Sequence, residues 1–229
     1  MRLLARLRAR FDLTPDLLDV AGRAFPFLRV TDPRKVLDQV IEVESRGKPA
    51  RMPYWAELWE SAIAIGEWLM RHAPPLDRPL RVLDLGCGMG FAGMVAAAVG
   101  HRVMLVDIET DALLFAAYNS WPWRRRVRLR RLDWQTDTLA EQFDLILGAD
   151  VLYERDQRDH LEPFWRRHLT PTGRVLLGEP GRQTGDEFPD WIRARGWTLQ
   201  ITTHRVEPAG KTVRLFLLNR SDAAVTEKR

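Results

Sequence analysis

The chain has 229 residues, enough for one large domain or for one domain with an N-terminal extension. Hydrophobic residues make up 45% and charged residues 29%, an ordinary globular mixture that argues against a disordered chain. The single cysteine, Cys87, excludes an internal disulfide framework and any multi-cysteine zinc site, and no apolar run reaches the roughly 18 residues of a membrane span. The 35 basic residues exceed the 31 acidic ones by four, which permits an acidic partner without demanding one. The Arg-rich start, Met1 to Arg10, lacks the apolar core of a signal peptide, and the expected location is the cytoplasm. Nine tryptophans are many for this length, and tryptophan suits places that need a flat apolar face with one donor.

In chain order, Arg2, Arg6 and Arg10 recur beside Leu3, Leu4 and Leu7, which predicts a short amphipathic helix. Asp32-Pro33 reads as a helix start, followed by Val36, Leu37, Val40 and Ile41 at helical spacing. A third helix is predicted from about Ala56 to His72, stopped by Pro74-Pro75. Together these predict an N-terminal helical cap over residues 1–75. From Leu80 onward, short apolar strands alternate with helices across residues 76–229, ending in a hairpin around Glu207-Pro208-Ala209-Gly210. Repeated β-α units predict an α/β fold: a Rossmann-like, seven-stranded, mostly parallel sheet with one antiparallel strand from the C-terminal hairpin. Cap and sheet are expected to form one structural unit.

Val82-Leu83-Asp84-Leu85-Gly86-Cys87-Gly88-Met89-Gly90 carries the most information. Alternate glycines directly after a buried strand allow a tight turn and a close approach to a ligand, and the following helix aims its N–H groups at it. Gly88 to Gly93 also fits the dinucleotide pattern, so the glycines alone leave a nicotinamide cofactor open. The acidic residues point elsewhere. Asp84, two residues before Gly86, would repel a pyrophosphate but suits the ammonium group of S-adenosylmethionine. Asp107-Ile108-Glu109 follows 21 residues after Gly86, where a carboxylate can accept both ribose hydroxyls. Asp133 and Trp134 end the third strand, placed for the adenine amino group and ring. Each acid taken alone reads better as a helix cap or a solvated strand end, and it is the three at successive strand ends together that point to cofactor binding.

From about Pro53 to Asn219 the chain resembles the class I, seven-β-strand S-adenosylmethionine-dependent methyltransferases. More narrowly it resembles their protein-lysine methyltransferase group, especially the electron transfer flavoprotein β-subunit enzymes and bacterial relatives. Three segments carry the narrower likeness: Pro53-Tyr54-Trp55-Ala56-Glu57-Leu58-Trp59, Asp150-Val151-Leu152-Tyr153, and Arg174 to Arg182 with its Gly178-Glu179-Pro180-Gly181-Arg182 end. The resemblance implies lysine N-methylation of a protein substrate, with S-adenosylhomocysteine as the second product. It implies that Trp55 lines the cofactor site, that Asp150 and Tyr153 are catalytic, and that Trp59 and Glu179 belong to a substrate channel. Core packing for the tryptophans, an N-cap for Asp150 and a loop brace for Glu179 stay open beside these roles.

Methylation needs a neutral amine, so Asp150 is expected to position the nitrogen and to accept its proton, and Tyr153 to shape a narrow aromatic entry. Residues 150–153 lack the prolines with which base-amine methyltransferases grip a flipped base. A small amine acceptor, or a non-catalytic cofactor- or RNA-binding module, is the alternative. The latter would use Arg124, Arg125, Arg126, Arg128, Arg130 and Arg131, with Trp121 and Trp123 as stacking surfaces, where the plainer reading is charge protection of an edge strand. Cys87 reads as loop filler. The five histidines lack metal-ligand spacing, so no metal is expected.

Overall fold

The computed structural model describes residues 2–72 and 78–221; the predicted Pro74-Pro75 helix stop lies outside them. A seven-stranded sheet forms the frame. Its strands in spatial order are β5 (Val127–Arg131), β4 (Arg102–Asp107), β3 (Arg81–Leu85), β6 (Phe143–Ala149), β7 (Leu169–Glu179), β9 (Lys211–Arg220) and β8 (Trp197–Val206). The first five run parallel, and β9 is antiparallel to both neighbours, as the sequence predicts.

Strands buried on both faces are apolar throughout, and their alternating side chains feed two cores. On one face Val82, Leu105 and Leu147 pack against α3 (Glu60–His72), α4 (Phe91–Ala98) and α5 (Thr110–Asn119). On the other, Leu83, Ile146 and Val175 pack against α6 (Gln157–His168) and α7 (Gln183–Arg193), with Trp165 and Phe188 fully buried. The α4 segment FAGMVAAA is all small or apolar because it is buried from Phe91 to Ala97.

The extension departs from the predicted cap. Helix α1 (Arg2–Arg8) and helix α2 (Pro33–Ser45) form as expected, the latter with Asp32 accepting from the Arg34 N–H and proline in its first turn. Between them lies a β-hairpin, β1 (Leu13–Val20) and β2 (Arg23–Val30), so the extension is not helical throughout. Ala21 and Gly22 turn it with φ of 52° and 82°. Such a two-residue turn needs left-handed backbone at both positions, and its usual signal is Asn-Gly or Asp-Gly. Alanine in the first place hid it. Phe25, Phe27 and Val30 of β2 enter the first core, and Asn119 of α5 bolts the hairpin on: its amide accepts from Leu28 N–H at 2.8 Å and donates to Leu28 and Met89 carbonyls at 3.0 Å.

Helix α3 starts at Glu60, later than predicted, after a 3-10 turn over Tyr54–Ala56. Among the described residues no helix is long and apolar enough to cross a membrane.

Candidate active site

Parallel strands leave their following loops on one side of the sheet, and ligands of such sheets bind beyond the carboxyl ends. Here the loops after β3, β4 and β6 enclose a cavity of about 310 Å³, within the range of small-molecule sites. Gly86, Gly88, Asp107 and Ile108 line it together with Trp134, Asp150 and Tyr153, and Trp55 and Trp59 reach it from the segment before α3.

The glycine loop is forced by its contacts. Gly86, Gly88 and Gly90 have φ of 67°, 52° and 87°, a region L side chains rarely adopt. A Cβ on Gly86 would stand 3.2 Å from the Trp134 ring. Asp107 pins the loop: one carboxylate oxygen accepts from the Gly88 N–H at 2.8 Å and the other from the Glu109 N–H at 2.9 Å. Burial lifts its pKa to about 6 against these hydrogen bonds, which hold it down. Each oxygen keeps a lone pair for a further donor.

Trp134 lies along Gly86, its indole N–H donating to Gln157 Oε1 at 2.9 Å. Trp55 is buried between Phe11 and Phe115 while reaching the cavity, so it is both core and wall. Tyr54 and Tyr153 stand with ring centroids 5.1 Å apart at the cavity. Burial pushes the Tyr153 phenol up to about 12, which keeps it protonated and unfit as a base at neutral pH.

Asp150 follows β6 in left-handed backbone, φ 54°, and its own N–H donates to the Gly178 carbonyl at 2.8 Å. It does not act as an N-cap: α6 begins seven residues later. Its carboxylate is gripped in a fork by Arg182, Nε to Oδ1 at 2.8 Å and Nη2 to Oδ2 at 2.6 Å. The same guanidinium lies over the Trp59 ring, 5.5 Å from its centroid.

Four expected site residues lie outside the cavity lining. Asp84 points with Val82 toward α4, as the period of two along β3 requires, and accepts from the Gly93 N–H at 2.8 Å. Gly90 packs on Ala116. Asp133 caps its own turn, accepting from the Gln135 N–H at 3.0 Å. Glu179 is fully buried and braces the loop after β7, accepting from the Gly181 N–H at 2.9 Å, the Arg182 N–H and Arg214 Nε at 2.7 Å. Its side chain is turned away from the cavity lining. Cys87 sits in the loop, and burial pushes its thiol up, away from nucleophilic use. Among the described residues no cluster of histidine, cysteine or carboxylates is arranged for a metal.

Sequence reasoning passed over Tyr54, Gln157 and Arg182 as site residues. Arg182 had a signal, since it closes the Gly-Glu-Pro-Gly-Arg run; Gln157 had none. The Arg run lies on the exposed edge strand β5 and the turn before it. Arg128 pairs with Glu141 at 2.6 Å and Arg131 donates to the Ile108 carbonyl at 2.9 Å, so part of the run serves its own edge.

The buried Asp84 carries a consequence for stability. One of its oxygens has no partner, and burial lifts its pKa from 3.8 to about 7. The folded state then holds a proton that the unfolded state releases, so stability is greatest below about pH 4 for this group and falls as pH rises toward 7. Asp84→Asn should flatten that fall, read as denaturation midpoints in urea at pH 5 and pH 8. An undiminished fall in the variant would show that another group causes it.

The model of a family described as "Lysine methyltransferase" matches residues 53–188, more than half of the chain. The chain belongs to this family. Within the lysine methyltransferases, it is 32% identical over 145 residues to the electron transfer flavoprotein beta subunit lysine methyltransferase of Xenopus laevis, covering 60% of this chain and 56% of that one. It is 30% identical over 150 residues to the protein N-lysine methyltransferase METTL21A of Xenopus tropicalis, covering 62% and 67%. The chain thus spans little more than half the length of the flavoprotein-subunit relative it matches. Among solved structures, the glycopeptide N-methyltransferase MtfA complexed with sinefungin superposes with a TM-score of 0.59 at 15% identity, covering 76% of this chain and all of that one. The N-methyltransferase NodS of Bradyrhizobium japonicum, in complex with S-adenosyl-l-homocysteine, gives 0.55 at 19%, covering 69% and 83%. At such identities the likeness is one of fold, and it agrees with the Rossmann-like sheet.

Proposed function

We propose that this protein transfers a methyl group from S-adenosylmethionine to a lysine side chain of a protein substrate, releasing S-adenosylhomocysteine. The observation that carries the reading is one cavity holding both halves of that chemistry: a glycine cradle pinned by Asp107, and Asp150 beside an aromatic mouth. Names of relatives add weight, since the flavoprotein-subunit enzyme and METTL21A are both lysine methyltransferases.

The residues present fit the methyl donor. The Gly86 and Gly88 backbone leaves room for close approach, Asp107 and Glu109 suit hydroxyls and cations rather than a pyrophosphate, and the Trp134 face and Ile108 suit an adenine. S-adenosylmethionine, when bound, supplies an electrophilic methyl on a positively charged sulfur. Asp107 then accepts ribose hydroxyls on its spare lone pairs, Gln157 holds the Trp134 ring, and Trp55 closes the glycine side. Tyr54, Tyr153 and Trp59 exclude water from the amine and fix its approach, so positioning supplies most of the rate. Residues 1–75 act in this reading as a cap on a catalytic unit of residues 76–229, and a cytoplasmic setting suits a lone unpaired cysteine.

The test is transfer of radiolabelled methyl into a cell lysate and into purified electron transfer flavoprotein, with calorimetry against S-adenosylmethionine and NAD. The expected result is donor binding without NAD binding, and label in protease-sensitive, ribonuclease-resistant material. Label confined to small molecules or to RNA would refute a protein acceptor, and NAD binding alone would refute the methyltransferase reading.

A further inference from the structure

The acceptor nitrogen reacts through its lone pair, so the site must receive lysine as a free amine. Free lysine has a pKa near 10.4 and arrives charged. A lone carboxylate in a buried cavity would worsen this, because an opposite charge close by favours the ammonium form. Asp150 is such a carboxylate, its side chain only 3% exposed, yet it is not alone.

We propose that Arg182 is a positioning residue that neutralises Asp150, so that the pair receives the acceptor lysine as a free amine rather than as an ammonium ion. The proposal rests on the lysine methyltransferase reading above. Three observations carry it. First, the fork engages both carboxylate oxygens of Asp150, so the pair presents no net charge while each oxygen keeps a lone pair for an amine N–H. Second, the guanidinium is sandwiched between Asp150 and the Trp59 ring, and Asp150, Trp59 and Arg182 all line the cavity. Third, the backbone of Arg182 is built to stay. Its N–H and that of Gly181 donate to fully buried Glu179, whose other oxygen takes Arg214. Gly185 leaves the space Glu179 fills: a Cβ there would stand 2.3 Å from the Glu179 carboxyl carbon.

The other ionisable groups facing Asp150 do not undo the neutral pair. Glu179 of the same loop is matched by Arg214, and Glu60 of α3 by Lys211 at 2.6 Å. Tyr153 and Tyr54 are phenols, and Tyr153 holds its proton across the working range. Burial raises the pKa of Asp150 overall, and the Arg182 fork pulls it back down. Without Arg182, Asp150 and a bound lysine together would keep one more proton at neutral pH, and that proton blocks the lone pair.

The experiment compares wild type, Arg182→Lys and Arg182→Gln in steady-state methyl transfer to the acceptor labelled by wild type, from pH 7 to pH 9. S-adenosylmethionine affinity and thermal midpoint are measured alongside. For Arg182→Gln the expected result is kcat lowered at least tenfold at pH 7 with KM for the acceptor unchanged or lower. That deficit should shrink to threefold or less at pH 9, with donor affinity within threefold of wild type. Arg182→Lys, which keeps the charge, should retain the wild-type pH profile. A deficit equal at both pH values, a wild-type rate in Arg182→Gln, or a shifted profile in Arg182→Lys would overturn the proposal. Absence of any transfer by wild type would instead overturn the methyltransferase reading on which it stands.

Discussion

Asp150→Asn should leave a folded protein that binds S-adenosylmethionine normally and transfers methyl groups at least about 10²-fold more slowly, the lower end of what a positioned acid–base group contributes. The choice of asparagine matters. Asp150 sits at φ 54°, and asparagine is among the few residues that visit this region readily, whereas alanine adds backbone strain of about 1 to 2 kcal/mol. The amide keeps the shape but loses the charge that Arg182 grips with two hydrogen bonds. The guanidinium then stands uncompensated at the acceptor position and repels an incoming lysine. Steady-state transfer measures the effect, with donor calorimetry and circular dichroism as controls. Transfer at more than a third of the wild-type rate would remove Asp150 from the acceptor site.

The second large effect is structural. Gly90→Ala should lower the thermal midpoint by roughly 4–20 °C and weaken donor binding. Gly90 has φ 87°, where any L side chain is strained, and its Cβ would meet the Ala116 Cβ at 2.8 Å and Cα at 2.9 Å. Left-handed strain of about 1–2 kcal/mol and overpacking of about 1–3 kcal/mol add to roughly 2–5 kcal/mol. A chain of this size loses about 2–4 °C per kcal/mol. Ala116 is fully buried in α5, on the same helix as the Asn119 amide that holds the Met89 carbonyl, so relaxation there disturbs the glycine loop. A midpoint within 2 °C of wild type, by calorimetry, would show that α5 yields more easily than this packing implies.

The sheet was legible because its signals are local and strong. Buried parallel strands read as apolar runs, and glycines after the first of them mark the loop without help from distant residues. The hairpin Leu13–Val30 was not legible, because Pro15 and Pro26 interrupt its strands and Ala21 stands where asparagine would have marked the turn. Within the site, Gly86, Asp107 and Trp134 were found by their spacing and Asp150 through the family resemblance, and all four line one cavity. Position along the chain does not show which way a side chain at a strand end turns. Asp84 follows Val82 to the helix side, and Glu179 turns inward to hold the backbone of its own loop. The Arg182 fork joins residues 32 apart in sequence, brought together by the pairing of β6 with β7.

The central claim is transfer of a methyl group to a lysine nitrogen, and acid hydrolysis of the labelled acceptor followed by amino-acid analysis tests it most directly. Radioactivity from S-adenosylmethionine should elute as methylated lysine, and Asp150→Asn should nearly abolish it. Label eluting as methylated arginine or histidine, or lost on protease-free treatment with ribonuclease, would contradict the account.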